Sequence, residues 1–377
     1  MLLHFSILGL ILILSFFYEN RIKESKVPVA LEGGDYVSAK TYYTPWVILF
    51  ILITFYTYIR TDVNDTAVYR AVFTELQPSW DNINTIIDDT SKDKGFYILQ
   101  NLFKMYVSDD YHMWFLFIAS IESIILVCVL ARYSVSFFDA TFYFFASQLY
   151  YNYFSMMRQW LAVCIVFIGF TFIKKKKFIP FLLICLLAAQ FHNSAYFVIP
   201  VYFLLQGKPW GRKQMSILFL FVLALFFLQP ILSSLNGTTE NSTYNYVFNA
   251  MSSNSGSSIV RVVFIIFPVV LAFINKDKIT DKTMCICVNA AVLTLLLIVV
   301  ASFSSGLYIN RFKTYIYMYT IPFVPYLLNV VYNDRKNKQE LKLVFYLVYL
   351  ILYCVFMEHE DSFIYHSDMY SWLDYLG

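Results

Sequence analysis

Long apolar runs separated by short polar loops occur along the whole 377-residue chain. A helix needs roughly 20 apolar residues to cross a bilayer. Charged residues make up only 14% of the chain, against about 25% in soluble domains. The sequence therefore predicts an all-α, polytopic membrane protein in which residues 1–377 form one domain. The twelve apolar segments are residues 2–18, 45–59, 111–130, 136–151, 156–173, 178–189, 195–205, 216–232, 259–274, 284–303, 314–331 and 341–357.

The loops between these segments differ sharply in charge. Most of the 28 lysine and arginine residues fall in alternate loops, and cytoplasmic loops are the ones enriched in such residues. This pattern predicts that both termini are external and that residues 2–18 form an uncleaved first span. Segments 178–189 and 195–205 are short, so they are either tilted spans or a re-entrant pair. The net charge of +3 gives no support to a nucleic-acid partner.

Two sizeable loops fall on the predicted outer face. Residues 60–110 contain two apolar stripes at helical spacing, which predict amphipathic helices on the membrane surface. The first stripe is Val68, Val72 and Leu76, and the second is Phe96, Leu99, Phe103 and Tyr106. Residues 233–258 are rich in Asn, Ser, Thr and Gly, which predicts a flexible external loop.

Four arginines lie at the predicted outer ends of helices, where loop arginines are otherwise under-represented: Arg60, Arg158, Arg261 and Arg311. Guanidinium groups match phosphate oxygens bidentately, so the set suits a diphosphate head group. Any single member could instead bind membrane lipid or pair with an aspartate. Arg158 follows the aromatic stretch Tyr150-Tyr151-Asn152-Tyr153, which could stack on sugars or serve as an interfacial aromatic belt.

Other polar residues offer acid–base chemistry or a structural alternative. Asp62 and Asp65 could deprotonate or position a sugar hydroxyl, while Asp65 or Thr66 could instead cap the following helix. His192, at the tip of the short pair, is either a general base or donor or a hydrogen-bonded cap. Glu122 lies mid-span and is expected to need a structural partner.

Neither a metal site nor a cofactor is predicted. All six cysteines fall inside apolar runs, without C-x-x-C pairs or zinc spacing to histidine. The chain has no Walker loop, nucleophile elbow or zinc-helix motif. Kinase, nucleophile-elbow hydrolase and metalloprotease chemistry therefore lack local support.

Several short motifs follow one another along the chain in a characteristic order. They are Arg60-x-Asp62, Asp65-x-x-x-Tyr69, Gly95-Phe96-Tyr97, Asn152, Arg158-Gln159, Phe191-His192-x-Ser194-Ala195 and Arg311-x-x-x-Tyr315. In this order the chain resembles the EpsG family of Wzy-type polysaccharide polymerases over roughly residues 45–330. One departure is that Lys94 stands where members often carry an acidic residue, with Asp93 before it. That departure leaves this loop without an expected acidic role.

The resemblance implies a fold similar to lipid-linked C-type glycosyltransferases and a metal-independent polymerase of the bacterial cytoplasmic membrane. It implies that undecaprenyl-diphosphate-linked oligosaccharide is joined into capsule or exopolysaccharide at the outer leaflet. Expected partners are this lipid, the membrane, and the flippase and chain-length regulator of the same pathway. The expected catalytic residues are Asp62, Asp65, His192 and Arg158. The expected substrate-binding residues are Arg60, Arg158, Arg261, Arg311, Tyr69, Asn152, Gln159 and Tyr315.

Three other functions remain open at this point: a flippase for the lipid-linked unit, an acyltransferase that modifies the glycan, and a structural partner in polysaccharide assembly. A flippase would be expected to carry cationic groups along its spans, whereas these arginines gather at one face. An acyltransferase would be expected to use a histidine near the cytoplasmic face, whereas His192 is predicted to be external.

Overall fold

The computed structural model describes residues 39–88, 92–212, 214–221, 223, 262–303, 306–332, 334–359 and 366–367, together with Gly9 and Ile13. These residues form helices and one two-stranded pairing. The strands are β1 (Arg60–Asp62) and β2 (His366–Ser367). The α-helices are α1 (Ala39–Tyr58), α2 (Thr66–Glu75), α3 (Trp80–Asp88), α4 (Lys94–Tyr106), α5 (Tyr111–Tyr133), α6 (Phe137–Ala146), α7 (Met157–Ile168), α8 (Phe170–Lys174), α9 (Phe178–Ala189), α10 (Val201–Leu204), α11 (Val263–Ile274), α12 (Lys282–Phe303), α13 (Gly306–Tyr317), α14 (Thr320–Val330) and α15 (Arg335–His359). Short 3₁₀ helices are Leu149–Tyr153, Asn193–Val198 and Lys276–Lys278.

The all-α prediction is confirmed. Four helices among the described residues are long and apolar enough to cross a membrane: Tyr111–Tyr133, Met157–Lys174, Lys282–Ser302 and Lys336–Phe356. Shorter apolar helices occupy most of the other predicted segments: Val47–Tyr58, Phe178–Ala189, Asn193–Leu204, Val263–Ile274 and Thr320–Val330. All of residues 233–258 and most of residues 2–18 and 216–232 lie outside the described residues. The prediction of twelve spans therefore stays a prediction.

Glycine and capping residues decide where several helices begin and break. Asp110 accepts a hydrogen bond from the backbone N–H of His112 at 2.8 Å and so starts α5. Gly169 separates α7 from α8, and a Cβ there would meet the Phe181 ring at 2.8 Å. This close approach lets α9 pack against the α7–α8 segment. Both α7 and α12 are largely buried, so they form the centre of the helical assembly.

The short pair around His192 is only partly regular helix. The twelve residues of α9 cover about 18 Å at 1.5 Å per residue, against a hydrocarbon core of about 30 Å. The chain then turns at residues 190–192 and continues as the 3₁₀ helix Asn193–Val198. By length alone, α9 fits a half-span better than a full span.

The predicted external loop 60–110 folds into three helices, of which α3 was not anticipated. The aromatic residues Phe96 and Phe103 of α4 and Phe73 of α2 surround the buried Trp114 of α5. The apolar face of α4 is therefore largely used for packing inside the protein. In contrast, Val68 and Val72 of α2 remain 63% and 41% exposed, as expected for a surface helix.

A short antiparallel pairing brings the end of the chain back to the loop 60–110. Arg60 of β1 is opposite Ser367, and Asp62 is opposite His366. The side chain of Arg60 is buried and that of Asp62 is exposed. The pairing thus places residues 366–367, seven positions after the last residue of α15, against β1.

Candidate active site

Asp93 joins three separate segments of the chain. It occupies the N-cap position of α4 with a φ of 62°, in the left-handed region. Its Oδ2 accepts a hydrogen bond from Nη1 of Arg158 at 2.9 Å, and its Oδ1 accepts one from the backbone N–H of Asn193 at 2.9 Å. The Asp93 side chain is only 8% exposed. A buried carboxylate with both oxygens engaged fixes the relative positions of α4, α7 and the His192 turn.

Arg158 lies in the first turn of α7 and points towards α4. Its Nη1 also donates to the hydroxyl of Tyr97 at 2.8 Å, and its guanidinium carbon is 5.5 Å from the centre of the Tyr97 ring. Burial raises the pKa of Tyr69, and the charge of Arg158 opposes that rise. About 31% of the Arg158 side chain remains exposed. Arg158 is thus held at one nitrogen and partly open to a ligand.

Gly95 permits the close packing that assembles this region. A Cβ at residue 95 would lie 2.7 Å from the Cβ of Gln190 and 3.0 Å from its carbonyl oxygen. The second contact involves backbone, which cannot move aside easily. Glycine therefore lets the first turn of α4 rest directly on the end of α9, two residues before His192.

His192 is held by Ser194, which in turn contacts α13. The Nδ1 atom of His192 is 2.6 Å from Oγ of Ser194, and the same Oγ is 2.9 Å from the hydroxyl of Tyr315. Burial lowers the pKa of His192 to about 4; the charges of Arg158 and Arg311 lower it too, and Asp93 opposes them. His192 is therefore a neutral imidazole at pH 7.

Arg311 and Gln159 complete the cluster from two further positions. Gln159 donates from Nε2 to the backbone carbonyl of Arg311 at 2.5 Å, which ties α13 to α7. Arg311 is partly exposed, and Tyr315 follows it by four residues, about one turn of α13. Six of the predicted site residues thus come together from three separate helices and the His192 turn: Tyr69, Arg158, Gln159, His192, Arg311 and Tyr315.

Arg60 is placed differently from the prediction. Its side chain has no exposed surface, it donates to the carbonyl of Tyr153, and its guanidinium carbon is 4.5 Å from the centre of the Phe115 ring. A ligand cannot reach it in this structure. Its charge acts on the buried carboxyl of Glu122, and the expected structural partner of Glu122 stays a prediction. The position of Arg60 at a helix end did not reveal that its side chain turns inward.

The remaining predicted residues do not contact the cluster around Arg158. Asp62 is exposed on β1. Asp65 stands at the N-cap position of α2 without a side-chain capping bond, although its charge acts on Tyr69. Asn152 donates to the nearby carbonyl of Leu149 at 2.7 Å. Arg261 lies outside the described residues.

The tyrosines of the stretch Tyr150–Tyr153 pack inside the protein instead of facing a ligand. Tyr150, Tyr151 and Tyr153 are each at most 8% exposed. The hydroxyl of Tyr150 is 3.0 Å from that of Tyr353, and the hydroxyl of Tyr153 accepts a bond from Ser123 at 3.2 Å. Because so little of these three rings is exposed, none of them offers a face on which a sugar could stack.

Asp93 is the main residue that the sequence did not identify. Tyr97 and Ser194 lie inside short motifs that the sequence brought out, but no role was assigned to either. Asp93 precedes the Gly95-Phe96-Tyr97 motif by two residues, and Lys94 takes the position where an acidic residue was expected. The left-handed φ of Asp93 turns its side chain towards Arg158. An acidic residue one or two positions before the Gly95-Phe96-Tyr97 motif is therefore the sequence feature that could have identified Asp93.

The comparison with family models gives a match to the EpsG family over residues 43–376. The chain belongs to the EpsG family. Family members are exopolysaccharide-related membrane proteins associated with polysaccharide biosynthesis, and the apolar helices of this chain agree with that setting. Neither the curated proteins nor the solved structures contain a match to the chain.

The part of the chain that the structure describes contains no group of three or more His, Cys, Asp or Glu residues arranged to hold a metal ion. The cluster of this EpsG family member offers two arginines, a neutral histidine, the carboxylate of Asp93 and several hydroxyl groups.

Proposed function

We propose that this EpsG family member polymerises lipid-linked oligosaccharide repeat units at the outer leaflet of the bacterial cytoplasmic membrane. The observation that carries the proposal is the placement of Arg158. It is fixed by buried Asp93 and by Tyr97, yet 31% of its side chain remains exposed. A partly exposed, pre-positioned guanidinium is suited to a phosphate that gains charge during a reaction.

The reaction would transfer a glycan from one undecaprenyl diphosphate to a second lipid-linked unit. A hydroxyl oxygen of the acceptor sugar forms a bond to the anomeric carbon of the donor. The bond between that carbon and the diphosphate oxygen breaks, and its electron pair stays on the diphosphate. The hydroxyl proton passes to a carboxylate and then to water. Asp65 is the predicted carboxylate whose charge acts on a residue of the cluster, Tyr69, whereas both oxygens of Asp93 are already engaged by Arg158 and Asn193.

Each residue then has a definite part. Arg158 and Arg311 would stabilise the charge on the departing diphosphate, which is the usual electrostatic contribution in such sites. Gln159 would fix the distance between the two helices that carry them, through its bond to the Arg311 backbone. Asp93 and Tyr97 would hold Arg158 in place. The proposed substrate is a diphosphate-linked glycan, and undecaprenol is its proposed lipid.

The proposal can be tested in cells that lack the gene and are complemented with variants. We expect single repeat units to accumulate on the outer leaflet in the deletion strain and in the Arg158→Ala strain. Arg132→Ala is the matched control, because it removes an exposed arginine in the last turn of α5, a helix that contributes no residue to the cluster. This strain should make polymer of normal length. Both variants should be checked for equal protein levels in the membrane.

Other results would point to a different function. Accumulation of the lipid-linked unit on the cytoplasmic leaflet would identify a flippase. Polymer that is complete in length but lacks an acyl group would identify an acyltransferase. Normal polymer in the deletion strain would refute the proposal.

A further inference from the structure

The hydrogen bonds around His192 determine which of its nitrogens carries the proton. Besides its contact with Oγ of Ser194, Nδ1 accepts a hydrogen bond from the backbone N–H of Ser194 at 3.3 Å. A backbone N–H can only donate, so Nδ1 must present its lone pair. A neutral imidazole has one proton, and it must therefore lie on Nε2.

The same reasoning sets the direction of the neighbouring bonds. Because Nδ1 accepts, the hydroxyl of Ser194 donates to it across the 2.6 Å contact. The Ser194 oxygen then accepts from the phenol of Tyr315, which is 2.9 Å away. The bonds run in one direction, from Tyr315 to Ser194 to His192, and their last free donor is the Nε2–H group of His192.

The surroundings of His192 favour this neutral form. Arg158 of α7 and Arg311 of α13 both bring positive charge to it, and burial adds to their effect. Asp93 of α4 is the charge that opposes them, but Arg158 already shares that carboxylate. Among the described residues, no protein acceptor is found for Nε2 of His192. This N–H group is available to a ligand.

We propose that His192 donates a hydrogen bond from Nε2 to a diphosphate oxygen of the substrate and is not the general base of the reaction. A base needs a free lone pair. Nδ1 has already committed its lone pair to Ser194, and a protonated Nε2 has none. Ser194 and Tyr315 are the positioning residues that keep the proton on Nε2. This inference rests on the proposed function for the identity of the ligand, whereas the protonation pattern stands without it.

Nitrogen NMR on the full chain in nanodiscs, with ¹⁵N-labelled histidine, tests the protonation pattern directly. The His192 signal is assigned as the one missing from the His192→Gln protein. We expect an unprotonated Nδ1 and a protonated Nε2 at neutral pH. A proton on Nδ1 would overturn the proposal. This measurement needs no enzymatic activity, so it remains decisive even if the chain proves not to be a polymerase.

Substitutions test the positioning roles of Ser194, by the same NMR spectrum, and of Tyr315, by the rate of chain elongation. Ser194→Ala removes the hydroxyl donor at 2.6 Å and leaves only the longer backbone N–H bond at 3.3 Å to hold the proton on Nε2. A second signal from the Nδ1-protonated form should therefore appear beside the first, while Ser194→Thr keeps a hydroxyl and should restore the single tautomer. Tyr315→Phe should lower the rate of chain elongation by roughly threefold to tenfold, the effect of one neutral hydrogen bond. An unchanged tautomer in Ser194→Ala would refute the positioning role of Ser194, and an unchanged rate in Tyr315→Phe would refute that of Tyr315.

Three substitutions of His192 separate a donor from a base. Gln can place an amide N–H near the position of Nε2 but cannot take up a proton, whereas the amide of Asn reaches only the position of Nδ1. We expect the rate of chain elongation to fall on the order of 10²-fold in His192→Ala and in His192→Asn. His192→Gln should retain much of the wild-type rate. If His192→Gln is as inactive as His192→Ala while present at wild-type levels, the donor role is refuted. If the wild-type chain elongates nothing, the proposed function fails and the NMR result stands by itself.

Discussion

Replacing Asp93 with Asn should separate binding from turnover at the candidate site. The substitution keeps an oxygen that can accept from the backbone N–H of Asn193, and it removes the negative charge next to Arg158. That charge repels a bound diphosphate, but it also holds Arg158 in position. We therefore expect tighter binding of a diphosphate lipid together with slower chain elongation.

The size of the binding effect follows from Coulomb's law. A phosphate on the open edge of the Arg158 guanidinium would lie about 7 Å from the Asp93 carboxylate, with the guanidinium between them. Two like charges at that distance repel by about 0.6 kcal/mol in water and by about 2.4 kcal/mol at an effective dielectric constant of about 20. Removing the repulsion corresponds to roughly threefold to sixtyfold tighter binding. The gain should shrink at high salt, since part of the site is exposed.

The effect on turnover has the opposite sign. Arg158 loses the charged acceptor at 2.9 Å that fixes its Nη1, and a small displacement of a catalytic group can cost on the order of 10²-fold in rate. Binding of labelled undecaprenyl diphosphate and elongation of lipid-linked repeat units, both measured in nanodiscs, supply the two readouts. Asp81→Asn, at an exposed acidic residue of α3, is the control. Weaker binding with an unchanged elongation rate would show that Asp93 does not act through Arg158.

Three further predictions concern stability. Gly95→Ala should destabilise the protein by about 1–3 kcal/mol, as overpacking does, because the new methyl group would meet Gln190; a thermal midpoint in detergent equal to that of wild type would contradict the close approach. Lys104→Met should loosen the end of α2, since the Lys104 ammonium donates to the carbonyls of Phe73, Thr74 and Leu76 at 2.7–2.8 Å. Faster proteolysis within residues 60–110 is the expected result, and unchanged proteolysis would count against it. The pKa of His192 is lowered from 6.5 to about 4. Between these two pH values the unfolded chain binds a proton that the folded chain does not bind, so the stability of the fold should decrease as the pH drops from about 6.5 to 4. His192→Gln should remove this part of the pH dependence, as read from thermal midpoints, and a dependence unchanged in that variant would rule out His192 as its source.

The helical segments could be largely predicted from the sequence because they depend on local composition. Runs of apolar residues anticipated α5, α7 with α8, α9, α12 and α15. The packing of the loop 60–110 depends instead on distant contacts. The apolar stripe of α4 can cover either a membrane surface or another helix, and only the position of Trp114 decides between them.

The site shows the same division between local signals and side-chain direction. Arg158, His192 and Tyr315 stand out in the sequence as polar residues between apolar runs, and the fold brings them together. Arg60 stands out equally, but β1 directs its side chain into the protein. The position of Asp93 depends on its positive φ and on its contacts with Arg158 and Asn193, which follow it in the chain by 65 and 100 positions. Neither feature can be inferred from the residue type alone.

Purified protein in liposomes gives the most direct test of the central claim, that the Arg158 cluster joins lipid-linked repeat units. The liposomes would contain undecaprenyl-diphosphate-linked repeat units as the sole glycan, and the lipid-linked products would be separated by length. The account predicts a ladder of two or more repeats with wild-type protein, the same ladder with Arg132→Ala, and single units with Arg158→Ala. A wild-type sample in which every glycan remains a single unit, or an unchanged ladder with Arg158→Ala, would contradict it.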